Sequence, residues 1–385
     1  MPILTNVFFI IGAISLLLGL AAGFVMHRSD FCMAGMFRDL FLFRRTVMIK
    51  SFFLLVVTSM LLFEGARRIG LLSMPFPLLY PPAAANLIGG LLFGIGMVLA
   101  GGCVVGTLYK MGSGSVLSVT TFAGIIFGSG LYAEIHPGWA AFAKQTTMFP
   151  GKVTIAQITG LDPLIPVLIV AVPGIFLFFS WHSRGKLTRK AYAAGYLQPY
   201  KAALALSMIG LLSYVLVGMP LGVTSSFTKI AGFIESLLIK GHFEDLAFFK
   251  LVPLNYVHHL TGSVLQGGPG PTFDALAAIQ FPLVFGIVAG STISAALLGE
   301  LHVSYRVPFR QYLLAASGGI AMGLASRMAP TCNVWHLMGG LPILAASSIL
   351  FLLGMLPGAW LGGILLVKIL AKRNAGNNCA LKEMP

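Results

Sequence analysis

The chain is divided into long apolar runs, and those runs decide what it can fold into. About nine of them approach the length of a membrane crossing, at 3–26, 47–65, 85–102, 115–133, 163–181, 201–220, 275–299, 310–326 and 343–369. A helix needs about 20 apolar residues to cross ~30 Å of hydrocarbon. Only 9% of the 385 residues are charged and 57% are hydrophobic, where soluble domains carry roughly 25% charged residues. Outer-membrane barrels alternate apolar and polar residues along strands of ~10 residues, so continuous runs exclude them. The expected fold is an all-α polytopic membrane protein. The first run has no basic leader and no small-residue cleavage site, so it reads as a retained span.

Four further stretches are too short to cross and too apolar for solvated loops: 29–45, 103–113, 224–238 and 331–341. Irregular backbone at membrane depth is tolerated only where protein or a water-filled cavity satisfies it. These four are expected to be short re-entrant helices. Lysine and arginine set the orientation. With the N-terminus outside, the inner loops hold Arg28, Arg38, Arg44, Arg45 and Lys50, then Lys110, then Arg184, Lys186, Arg189, Lys190 and Lys201, then Arg306 and Arg310. The positive-inside tendency favours that arrangement, with the C-terminus cytoplasmic. The net charge of +14, carried between the runs, points to anionic membrane lipid and an approaching anionic solute. It does not point to nucleic acid, and phosphate-loop and zinc-finger patterns are absent.

Internal similarity appears at Gly89-Gly90-Leu91-Leu92-Phe93-Gly94-Ile95 and Gly318-Gly319-Ile320-Ala321-Met322-Gly323-Leu324. The same spacing carries Cys103 onto Cys332. More loosely, Arg28 to Cys32 matches Thr224 to Thr228, which sets Thr228 opposite Cys32. Residues 1–135 are expected to form one repeat and 201–372 a second, with 136–200 a linker span and 373–385 a cytoplasmic tail. An odd linker span inverts the second copy, and inverted repeats with broken helices are a recurring transporter architecture. Duplicated membrane packing without a solute path remains the plain alternative.

Three of the four cysteines fall at these breaks: Cys32 in SDFCMAG, Cys103 in LAGGCVVGTLYK and Cys332 in RMAPTCNVWH. Gly101-Gly102 and Pro330-Thr331 each read as a breaker before a helix start. Such a start presents unpaired N–H groups and a positive dipole end, which suits an anion. A neutral thiol donates a weak hydrogen bond to a soft acceptor such as sulfur. The same dipole favours thiolate and a reactive cysteine, so guiding and capturing a solute both stay open. A lone buried cysteine is otherwise an inert hydrophobe. Arg327 sits at the end of an apolar run, where a charge is costly and suggests function; snorkelling to the interface is the plain alternative. Arg28 and Asp30 are expected to pair locally at the first break, and Glu64 with Arg67 and Arg68 to form an interfacial cluster. His336 shares a helix face with Cys332, but no matching pair accompanies Cys32 or Cys103. No metal and no cofactor are expected, and His336 is expected to bond neighbouring backbone. Cys379 reads as an incidental thiol in a polar tail.

At these motifs the chain resembles the YeeE/YedE family of bacterial sulfur-transport membrane proteins. That resemblance implies nine spanning helices plus short buried ones in an inverted arrangement. It also implies uptake of thiosulfate or a related sulfur compound along a path lined by Cys32, Cys103 and Cys332, with a TusA-like sulfur carrier as a cytoplasmic partner. The APTCNVWHLMGG motif and the added length at 134–162 and 239–274 look closer to a YedE-like branch associated with selenium, which makes a selenium compound the second candidate cargo.

The expectation is therefore an inner-membrane importer of a small sulfur anion, and not an enzyme. Its path would comprise Cys32, Cys103, Cys332, Gly101, Gly102, Thr331, Arg327, His336 and Thr228. The enzyme-class alternative is a membrane sulfurtransferase that hands persulfide sulfur to a carrier. Nucleophilic chemistry needs an activated thiol, usually beside a base, and only Cys332 has a histidine near it in sequence.

Overall fold

Glycine decides how closely the helices of this chain approach. The computed structural model describes residues 2–72, 74–191 and 195–380. The first part runs α1 (Pro2–Ser29), α2 (Met33–Phe43), α3 (Val47–Arg68), α4 (Ala84–Leu99), α5 (Val104–Gly112) and α6 (Val116–Gln145). A short α7 (Ile155–Thr159) and the long α8 (Leu164–Ser183) follow. The second part runs α9 (Pro199–Val217), α10 (Thr224–Leu238), a short α11 (Lys240–Asp245), α12 (Ala275–Leu298), α13 (Phe309–Met328) and α14 (Ala346–Ala380). Between α13 and α14, residues Trp335–Gly340 form a π-helical turn.

The long helices pair across the two parts. α1 lies along α12 and α9 along α3; α4 lies along α14 and α13 along α6. α4 also packs on α13, and α1 on α9. Small residues make these approaches possible. A Cβ on Gly90 of α4 would sit 2.2 Å from the Phe351 carbonyl oxygen of α14. One on Gly128 of α6 would sit 2.1 Å from the Ile320 oxygen of α13. α8 packs against α3 and leaves much of its apolar surface exposed, as a lipid-facing helix does.

Among the described residues, eight helical stretches are long and apolar enough to cross a membrane. The protein is an all-α polytopic membrane protein. α13, which occupies the run expected at 310–326, is not one of the eight. Arg310, Gln311, Ser317, Ser326, Arg327 and several glycines lower its mean hydropathy. Short helices occupy the four interrupted stretches: α2, α5, α10 and the turn after Cys332.

Two boundaries differ from the sequence reading. α6 continues past the expected end at 133 to Gln145, through Pro137, because Trp139 Nε1 donates to the Met328 carbonyl at 2.9 Å and anchors the extension on α13. The 239–274 insertion contains strands β1 (Leu254–Val257) and β2 (Val264–Gly267) paired antiparallel, a small hairpin inside a helical protein. The side chains of 370–380, Cys379 among them, and all of 381–385 lie outside the described residues.

Candidate functional site

A left-handed residue precedes each of the three cysteines. Asp30 (φ 47°), Gly101 (φ 70°) and Thr331 (φ 88°) turn the chain one or two residues before Cys32, Cys103 and Cys332. Glycine takes that conformation freely, whereas a β-branched threonine is strained there. The fold holds Thr331 in place, since its N–H donates to the Ser326 carbonyl at 2.9 Å. Each turn ends a long helix and starts a short one beside a thiol. Cys32 caps α2 and Cys103 caps α5, while Cys332 opens the turn leading to Trp335–Gly340.

Helix starts leave N–H groups without intrahelical partners, and the sulfurs lie beside them. Gly106 N–H donates to Cys103 Sγ at 3.3 Å, and the Met33 N–H faces the same sulfur. The N–H groups of Gly35 and Cys103 face Cys32 Sγ, but no side-chain cap bond closes the start of α2. The N–H groups of Val334, Trp335 and Val223 face Cys332 Sγ. Val223 is the residue capping α10, so Cys332 lies where two short helices begin. The Cys32 and Cys103 thiols lie side by side. A Cβ on Gly106 would come within 2.8 Å of Cys32 Sγ and 3.2 Å of Cys103 Sγ, so only glycine leaves both sulfurs in position. All three cysteines are free and buried.

The remaining candidates divide between two faces of the protein. Gly101 is exposed beside fully buried Cys103, and its carbonyl accepts from Lys110 Nζ at 2.7 Å. Gly102 is buried between them. Tyr109 of α5 donates to Asp30 Oδ1 at 2.9 Å. Asp30 does not pair with Arg28, contrary to the expectation. Arg28 reaches the Gly195 carbonyl, and Asp30 instead faces Arg189 at 3.9 Å, because the turn at Asp30 points the two side chains apart. Glu64 does bond both Arg67 and Arg68, and Asp162 joins that cluster.

On the other face lies a cavity of about 570 Å³. Its lining includes Tyr80, Asn86, Tyr132, Trp139, Arg327 and Thr331. Arg327 donates through Nη2 to Thr224 Oγ1, across from α13 to the first turn of α10. Arg327 Nε has no partner, nor does the Oγ1 of buried Thr331. Arginine at such a place offers a planar fork of donors suited to an oxyanion. Thr331 directly precedes Cys332, so the cavity reaches the residue next to the third thiol. Ser225, in the first turn of α10, also lines it.

Thr228 and His336 take structural partners. Thr228 lies in the second turn of α10 and donates to the Thr224 carbonyl at 3.2 Å. The position capping α10, as Cys32 caps α2, is Val223. His336 Nδ1 is 3.0 Å from Ser348 Oγ on α14, and its ring stacks on Phe351 at 4.3 Å.

Four residues at the site escaped the sequence reading. Gly106 is the glycine under two sulfurs. Asn333 and Met33, each following a cysteine, touch across the middle of the protein. Lys229 is buried beside Thr228, with Nζ donating to Asp274 Oδ2 at 2.7 Å and to the Gly270 and Thr272 carbonyls. A lysine inside an apolar interrupted stretch is a signal for it, since buried charge in such segments is rare without a partner.

Comparison with known proteins adds the following. The family described as Sulphur transport matches residues 28–361. The thiosulfate transporter TsuA of Spirochaeta thermophila is 28% identical over 367 residues, covering 90% of this chain and 97% of the relative. The thiosulfate transporter TsuA of Escherichia coli is 25% identical over 366 residues, covering 90% and 92%. The probable transporter YedE of Escherichia coli is 28% identical over 172 residues, covering 44% and 41%.

Proposed function

The chain belongs to the sulphur-transport family, and we propose that it imports thiosulfate or a closely related sulfur anion past Cys332, Cys103 and Cys32. One observation carries this reading: three free thiols, each beside the start of a short helix, with an arginine-bearing cavity ending one residue from the first of them. The relatives named as thiosulfate transporters cover nearly the whole chain, which supports the same cargo.

The chemistry is non-covalent. Arg327, Thr331 and the N–H groups at the start of α10 attract the oxyanion end. The solute's outer sulfur is soft and accepts S–H donation, first from Cys332 and then from the paired Cys103 and Cys32. Gly101, exposed beside Cys103, opens the way out toward Lys110 and the basic face. In this orientation the cavity faces outward and the N-terminus is outside, in a bacterial inner membrane. The two parts form an inverted repeat, a reading supported by their reciprocal pairing: α1 with α12 as α9 with α3, and α4 with α14 as α13 with α6. A TusA-like carrier would collect the cargo at the basic face.

Uptake of radiolabelled thiosulfate into proteoliposomes tests the proposal. Wild type accumulates label, competed by selenosulfate more than by sulfate, and Cys103→Ala at equal protein level abolishes uptake. Unchanged uptake by that variant refutes the role of the thiol path. Mass spectrometry after substrate exposure distinguishes sulfur transfer, because a stable sulfur adduct on Cys32, Cys103 or Cys332 belongs to a sulfurtransferase.

A further inference from the structure

The path between the outer and inner thiols is closed by two side chains. Asn333, the residue after Cys332, donates from Nδ2 to the Sδ of Met33, the residue after Cys32, at 3.2 Å. They are among the most deeply buried groups in the protein, at 0% and 1% exposure. The backbone N–H of Met33 also faces Cys103 Sγ. Met33 therefore touches the inner thiol pair with its backbone and the outer half with its side chain.

This contact is a poor use of a buried amide. A thioether is a weak acceptor, and the Oδ1 of Asn333 has no partner at all. A fully buried amide with one weak bond and one orphaned oxygen is costly as a packing element. It is well suited to exchanging its partner, because a charged oxygen is a much stronger acceptor than a thioether sulfur. Methionine is unbranched and polarizable, and it changes rotamer more readily than a branched or aromatic side chain.

We propose that Met33 and Asn333 form the gate and selection point of the path. This rests on the transport reading above. An arriving anion leaves Cys332 and takes the Nδ2–H of Asn333 on one of its oxygens. Met33 then loses its partner and swings aside, and the solute's terminal sulfur meets Cys103. The gate opens for a solute that carries a charged oxygen to replace the thioether. Asn333 binds the solute directly, and Met33 blocks the way until it does so.

Two arms test this separately from the cargo assignment. In the first, a membrane-impermeant thiol reagent without charged oxygen, 2-(trimethylammonium)ethyl methanethiosulfonate, is added to the cavity side of oriented proteoliposomes. Met33→Ala should raise the labelling rate of Cys103 at least tenfold over wild type and leave that of Cys332 unchanged. An unchanged Cys103 rate overturns the gate, whatever the protein transports. In the second, Asn333→Leu should lower thiosulfate uptake at least tenfold while keeping the wild-type melting temperature, and Asn333→Gln should restore part of it. Met33→Leu, which keeps volume without sulfur, should remain folded and closed to the reagent and should bring the same Asn333 amide to a higher resting cost, seen as a lower half-saturating thiosulfate concentration. Wild-type uptake in Asn333→Leu overturns the selection role. Loss of thiosulfate uptake in the wild type refutes the cargo and leaves the labelling arm to decide the gate.

Discussion

Arg327 Nη2 donates to Thr224 Oγ1, joining the last turn of α13, which lines the cavity through Arg327, to the first turn of α10. The contact uses one corner of the guanidinium and leaves Nε without a partner. A hydrogen bond to a charged group contributes about 1.5–3 kcal/mol, and each ~1.4 kcal/mol is tenfold in affinity. Arg327→Gln should therefore raise the half-saturating thiosulfate concentration about tenfold, read from uptake against concentration. Arg327→Lys keeps the charge but loses the planar fork, and its value should fall between the two. Equal half-saturation in all three proteins removes Arg327 from solute recruitment.

Lys229 holds the insertion that follows α10. Its ammonium meets Asp274 and two backbone carbonyls, with only 2% of its side chain exposed. Asp274 in turn caps α12 by accepting from Ala277 N–H at 3.0 Å. Removing one partner of a buried pair costs roughly 3–5 kcal/mol. Lys229→Met should lower the melting temperature of the purified protein clearly, and Lys229→Met with Asp274→Asn should recover part of the loss. Additive losses in the double variant would show that the pair is not coupled.

The close helix approaches are equally open to measurement. A methyl group on Gly128 has no room, since its Cβ would lie 2.1 Å from the Ile320 oxygen. Gly65, in the last turn of α3, has nothing within 4 Å. Overpacking a tight contact costs about 1–3 kcal/mol, whereas alanine in place of an open helical glycine stabilises by about 1 kcal/mol. Gly128→Ala should thus lower thermal stability and Gly65→Ala should raise it. The same sign for both would mean that glycine acts here through helix propensity and not through contact.

The spans and their interruptions were legible because both rest on local composition. Continuous apolar runs announce crossing helices, and Gly101-Gly102 and Pro330 announce a stop. What composition hides is the meeting of segments far apart in the chain. Nothing near Met33 announces Asn333, because their contact depends on how two short helices converge. Thr228 was matched to Cys32 through a pattern of small polar residues, yet α10 starts at Thr224 and its capping residue is Val223. That start follows Met219-Pro220-Leu221-Gly222, which carries both breakers and is the stronger local signal. The length of its run reads α13 as a span, although its small and polar residues suit it to packing between α4 and α6.

The insertion after α10 also carries a proton-sensitive contact. His242 Nδ1 lies 2.9 Å from Glu235 Oε1, and its Nε2 lies 3.5 Å from Glu134 Oε1. The hydrogen bond to Glu235, followed by the charge of Glu134, raises the imidazole above its ordinary value of 6.5. With two ring nitrogens turned to two different carboxylates, the arrangement suits a charged imidazolium more than a shared metal ion. A raised folded value means that the proton is bound more tightly in the folded protein. The contribution is therefore fully present below the ordinary imidazole range and is lost as pH rises through the raised value. Hydrogen exchange at α11, corrected for the intrinsic base-catalysed rate at each pH, should be slow at mildly acidic pH and quicken as pH climbs past neutrality, and in His242→Gln that residual pH dependence should disappear. The same acceleration in His242→Gln as in wild type would assign it to another group.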